Sequence, residues 1–183
     1  RLEAELFDVD LWRMLGALDA ATRAEDDDAA LTALHAVADA YGGDFAAGCD
    51  RPWIVDLAGV FRHQALSALG RIAEITEADR PEMAVAALER ALVFDPVNEE
   101  LYQRLMRIHG RRGHLDAVTR TLHLCEERLA ALGDTEPSET TRRVAERQLH
   151  KHAVPASVHP SPVATTNDVR PVPPGGSSAR SRR

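Results

Sequence analysis

Thirty-four residues separate two matched triplets of apolar side chains. Ala84, Leu88 and Ala91 are echoed by Val118, Leu122 and Cys125, each pair at the same offset. Within a triplet the spacing is i, i+4, i+7, so the three side chains share one face of a helix. A period of this length constrains the chain strongly, because each unit buries its apolar face only by stacking on a neighbour. Two punctuation marks keep the same register. Pro96 follows Ala91 by five residues, and the Asp95-Pro96 pair stops the helix before it. A residue preceding proline is driven out of the α region, and proline has no N–H to return to the previous turn. Gly113 precedes Val118 by five and supplies the turn between two helices.

A 34-residue period with small, large and small packing residues is that of the tetratricopeptide repeat. On this basis residues 91 to 106, ALVFDPVNEELYQRLM, mark the seam between two units. The first helices of the units agree less well. Ile72 matches Met106 and Ile75 matches His109, but no Trp or Tyr signature is clear. A plain antiparallel helical bundle, with the echo arising by chance, is the alternative. Two units alone would be marginal, so the flanking helices are expected to complete and cap an all-α, tetratricopeptide-like right-handed array of about seven helices.

The rest of the chain supplies those helices. Leu11, Leu15, Leu18 and Thr22 predict a helix over 9 to 24, with Asp8 as its N-cap. A second follows EDDD at 25 to 28, whose charges suit a helix N-terminus, and presents Leu31, Leu34, Ala38 and Tyr41. The glycines of 42 to 52 make a loop, after which a long helix over 53 to 76 carries Ile54, Leu57, Phe61, Ala65, Ala68, Ile72 and Ile75. Asp79 and Glu82 are spaced as a capping box for the fourth helix. The fifth spans about 98 to 111 and the sixth 114 to 132, while Ser138 caps a seventh that fades near His150. Residues 1–8 read as a linker and 9–151 as the folded domain. Residues 152–183 form a basic tail rich in Pro, Ser and Gly, too poor in large apolar residues to offset its ordering entropy and expected to be disordered.

Charge limits the function. The net charge is −7, but residues 1–150 hold 17 basic against 28 acidic groups and residues 151–183 hold 5 against 1. An acidic body is ill suited to gripping phosphates, so DNA contact would fall to another segment. Cys49 and Cys125 stand far apart, which suggests free buried thiols in a reducing compartment rather than zinc or disulfides. No apolar run approaches the ~20 residues of a membrane span, and no signal peptide is evident. A cytoplasmic protein without membrane contact is expected. The chain begins at Arg1 rather than Met, which suggests an excised piece of a longer protein.

No catalytic, cofactor or metal constellation emerges. The eight histidines lack metal-ligand spacing, and YGGDF lacks the strand a phosphate loop needs. His109 reads as a satisfied packing residue, Trp12 and Trp53 as core anchors. Arg104, Arg107 and Arg111 form a basic stripe at i, i+3 and i+7 on an otherwise acidic body. It is either a solvated face paired with Glu99, Glu100 and neighbouring acids, or a contact for a partner's acidic segment or for DNA. The basic ARSRR ending reads as a solubilising tail.

The order of motifs carries a family likeness. FDVDLW, YGGDFAAGCDRPW, the run from ALERALVFDP through GRRGHLDAV, and LAALGDTEPSETTRRV together resemble the bacterial transcriptional activator domain of the Streptomyces antibiotic regulatory protein type. The likeness covers about residues 6 to 150. Its most specific residues are Asp95, Pro96, Glu99, Glu100, Leu101, Leu105 and Met106, with Gly113 and the LGDTEPS ending, which has one residue more between Gly and Pro than the commonest spelling. The resemblance implies a helical, tetratricopeptide-like domain beside a winged-helix DNA-binding domain, which is missing here. RLEAELF fits the junction to it.

A regulatory protein-protein interaction and dimerisation module of a bacterial transcriptional regulator is therefore expected. Its partners would be another protein or a second copy, and DNA would be reached only through the absent winged helix. One rival is a generic scaffold that holds a peptide or signalling partner as the C-terminal module of a larger protein. A second is a small-ligand sensor.

Overall fold

The computed structural model describes residues 9–133 and 135–153. Among these residues there are seven helices and no strand: α1 (Asp10–Arg23), α2 (Asp27–Ala40), α3 (Pro52–Thr76), α4 (Pro81–Phe94), α5 (Glu99–Arg111), α6 (Leu115–Ala130) and α7 (Glu139–Ala153). Each helix packs on the next in the chain, and α7 folds back on both α5 and α6. The fold is all-α and tetratricopeptide-like, with α3–α4 and α5–α6 as the two units. The expected disordered tail and the linker lie almost entirely outside the described residues.

The 34-residue echo forms the centre of the core. Ala84, Leu88, Ala91, Val118 and Cys125 have no exposed surface, and neither have Ile72 and Met106. Leu122 is half-buried against the same cluster. It lies in the last unit, where α7 packs more on α5 than on α6. Small residues at Ala84 and Ala91 let α4 approach its neighbours closely, while Leu88 fills the space between them.

The seam at Asp95-Pro96 is held by side chains as well as by the proline. Asn98, the N-cap of α5, accepts from the Glu100 N–H at 3.2 Å and donates to Asp95 Oδ2 at 3.0 Å. The Tyr102 hydroxyl donates to the Pro96 carbonyl at 2.7 Å. Burial pushes the pKa of that phenol up to about 12, so it remains a donor. At the other end of α5, Gly113 takes φ +73°. Its N–H donates to the Gly110 carbonyl and that of His114 to the His109 carbonyl, which closes the helix in a Schellman motif.

Several local expectations need correction. The N-cap position of α1 is Val9, with no side-chain cap, and Asp8 lies outside the described residues. The buried stripe of α1 centres on Met14 with Leu11, Ala17, Leu18 and Ala21, so Leu15 and Thr22 face outward. Asp79 and Glu82 form no capping box: Arg80 holds the N-cap position, and Glu82 pairs with Arg112. Helix α7 extends to Ala153 rather than fading near His150.

Neither tryptophan is a core anchor. Trp12 is 48% exposed and Trp53 61%. Trp12 falls off the Met14 stripe, and Trp53 sits where α3 has outrun its neighbour. Helix α3 has 25 residues and α4 has 14. At about 1.5 Å per residue, roughly 16 Å of α3 extends past its partner. In its first six residues only Ile54 is buried.

Candidate functional site

Helix α5 carries the basic stripe because its two faces differ sharply. Leu101, Tyr102, Leu105, Met106 and Ile108 are buried on one side, and the arginines lie on the other. Glu99 and Glu100 stand at its N-terminus and His109 and Arg111 in its last turn, the arrangement that a helix dipole favours.

Two of the three arginines cross to the preceding unit. Arg104 reaches the Gly70 carbonyl on α3 at 3.4 Å and 3.5 Å, the long limit of a hydrogen bond. Arg111 forms an ion pair with Glu77, just past the end of α3. Both contacts join residues 34 positions apart, so the stripe spans the units in the same register as the core. Arg107 instead donates to Gln103 Oε1 at 3.2 Å on its own helix. Gln103 in turn donates to Thr141 Oγ1 at 2.9 Å on α7.

The pairing of the stripe with Glu99 and Glu100 does not form. Glu99 accepts from the Ser138 N–H at 2.8 Å, from the Ser138 hydroxyl at 2.6 Å and from the Thr141 hydroxyl. Ser138 Oγ also accepts from the Thr141 N–H at 3.3 Å, as an N-cap of α7 does. Burial pushes the Glu99 carboxyl up, but hydrogen bonds from Ser138 and Thr141 and the charge of Arg142 outweigh it and hold the pKa below its ordinary value. Glu99 therefore fastens the last helix to the second unit.

Further groups tie the helices together or stand apart from the stripe. Asp44 gathers Arg62 and the Tyr41 hydroxyl, the latter at 2.9 Å, and ties the glycine loop to α3. The Arg62 hydrogen bond holds the Asp44 carboxyl below the ordinary range. His109 is not a satisfied packing residue, since its Nδ1 is buried without a partner among the described residues. Burial, with His114 and two arginines nearby, lowers its pKa. Gly110 permits the close approach of α7: a Cβ there would lie 2.7 Å from both Cβ and Cγ of Gln148.

No group of three or more His, Cys, Asp or Glu among the described residues is placed to hold a metal. Cys125 is buried and Cys49 half-buried, and both are free. No helix of the described residues is long and apolar enough to cross a membrane.

Exposed apolar side chains are concentrated toward the N-terminal end of the array. Trp12 and Leu15 on α1, with Trp53, Val55 and Val60 on α3, are each about half exposed or more. Trp and Tyr are among the residue types most often found at the energetic centres of protein interfaces.

The model of the family described as bacterial transcriptional activator domain matches residues 8–149. No curated protein and no solved structure gives a significant match. The family match takes in all the helices but the end of α7, the Asp95-Pro96 seam and the Glu99 fastening. The chain belongs to the bacterial transcriptional activator domain family.

Proposed function

We propose that this domain is a regulatory protein-protein interaction and dimerisation module of a bacterial transcriptional regulator. It performs no chemistry of its own and works by presenting packed helical surfaces to another protein or to a second copy. The observation that carries the interaction part is the exposure of large apolar side chains on two helices, Trp12 and Leu15 on α1 and Trp53 and Val60 on α3, in a domain with a well-packed core. Tryptophan is among the residue types most often found at the energetic centres of protein interfaces, so the two exposed tryptophans are the side chains a partner would grip. DNA would be contacted by a neighbouring winged helix rather than by this acidic body.

Sedimentation velocity of the 183-residue chain over a wide concentration range tests the dimerisation part. A concentration-dependent shift beyond the monomer supports it; a strict monomer at high concentration counts against it. The interaction part is tested in a reporter strain with the full-length regulator carrying Trp12→Ala and Trp53→Ala. Loss of regulation by a folded variant supports the proposal.

A second reading is a scaffold that holds an acidic peptide along α5. Arg104 and Arg107 contact only neutral acceptors among the described residues, which leaves their charge available to a carboxylate. If replacing Arg104, Arg107 and Arg111 together with Ala leaves partner and DNA affinity unchanged, the stripe is not a contact surface.

A further inference from the structure

A shallow groove on the face opposite the basic stripe lies between α4 and α6. Glu89, Val93, Pro96, Tyr102, Leu124 and Arg128 line it. Val93 is 75% exposed and Leu124 39%, whereas Tyr102 below them is 1% exposed. Glu89 is one turn before Val93 on α4, and Arg128 is one turn after Leu124 on α6. Each charge thus shares a helix face with its apolar neighbour.

The two charges are available. Among the described residues neither the Glu89 nor the Arg128 side chain enters a hydrogen bond or an ion pair. Their chain neighbours differ: Arg90 is paired with Asp39, and Glu127 lies by His123. A patch with one unpaired acid and one unpaired base on its two helices, around an apolar centre, is complementary to itself. A two-fold rotation brings each acid to the other copy's base, and both contacts form at once. An unrelated protein would have to supply both signs independently, whereas a second copy brings them already matched.

We propose that this groove is the homodimer interface of the domain. A second copy docks so that Val93 and Leu124 of the two chains pack together and Glu89 of each chain pairs with Arg128 of the other. The proposal rests on the self-association part of the function given above, and it assigns that role to a surface separate from the tryptophans.

Sedimentation velocity of the full chain, comparing wild type with Glu89→Arg, Arg128→Glu and an equimolar mixture of the two variants, tests it. Each single reversal sets two like-charge pairs across the axis and weakens dimerisation by about tenfold or more. The mixture restores it, because a chain carrying Glu89→Arg opposite one carrying Arg128→Glu has both pairs matched. Val93→Asp weakens association in every combination. A wild-type chain that stays monomeric overturns the self-association reading together with this interface. Wild-type dimers indifferent to the reversals, or a mixture no better than its components, overturn this interface alone.

Discussion

The two ends of the helical array solve the burial problem differently. Around the Asp95-Pro96 seam Leu88, Met106, Tyr102 and Val118 are sealed, and Val93 and Leu124 stay exposed at the groove beside it. At the other end, α1 packs on α2 alone and the first turns of α3 have no α4 beside them. Trp12, Trp53, Val55 and Val60 remain in solvent there. A repeat unit needs neighbours on both sides, and the fold provides them at the C-terminal end through α7 but leaves the N-terminal end of the described residues uncapped. The sealed core sets stability, and the exposed side chains of the N-terminal end add little to it.

Substitutions should separate the two regions. Leu88→Ala removes a fully buried side chain from the centre of the core and is expected to cost about 2–5 kcal/mol in chemical denaturation. Trp53→Ala, in the open region, should change stability by only about 0.5 kcal/mol. A large loss at Trp53 would mean that the open region also carries the fold.

Next in size is Gly110→Ala. The added methyl meets Gln148 and should destabilise the domain by about 1–3 kcal/mol, with amide exchange rising first in α7. Tyr102→Phe keeps the packing but strips the Pro96 carbonyl of its donor, for a loss of about 1 kcal/mol in the same assay.

The smallest effect concerns pH. The Glu99 pKa is depressed on folding, so its contribution is present above the ordinary value of 4.5 and is lost as pH falls through the lower folded value. Denaturation midpoints from about pH 6 to about pH 3 should therefore drop less steeply for Glu99→Gln than for wild type. The His109 pKa is also depressed, so protonation opposes folding. Stability should begin to fall as pH drops below 6.5, and His109→Gln should flatten that part of the curve.

Much of the closed region is legible in the chain, because the signals there are local. The 34-residue spacing, the Asp95-Pro96 stop, the Asn98 start and the Gly113 turn each impose a backbone conformation regardless of what lies around them. The open region resists such reading for the opposite reason. An apolar residue at helical spacing looks the same whether or not another helix lies against it, so Trp12 and Trp53 carry no mark of exposure in the sequence. The fastening of Glu99 to Ser138 and Thr141 joins residues 39 and 42 positions apart and has no periodic signal. Gly110 is one of four glycines inside helices, with Gly16, Gly59 and Gly70, so its close approach to α7 is not marked in the sequence. The arginine stripe is visible as a pattern, but its division into Arg104 and Arg111, which cross between units, and Arg107, which does not, emerges only in three dimensions.

Exposed Trp12 and Trp53 are proposed to work in association and not in folding. Regulation of a reporter promoter by the protein carrying Trp12→Ala and Trp53→Ala, in a variant whose melting temperature matches wild type, tests it most directly. Truncating two interface anchors of this type costs on the order of 2 kcal/mol or more each, so regulation should be lost. Wild-type regulation by the folded double variant would contradict the account.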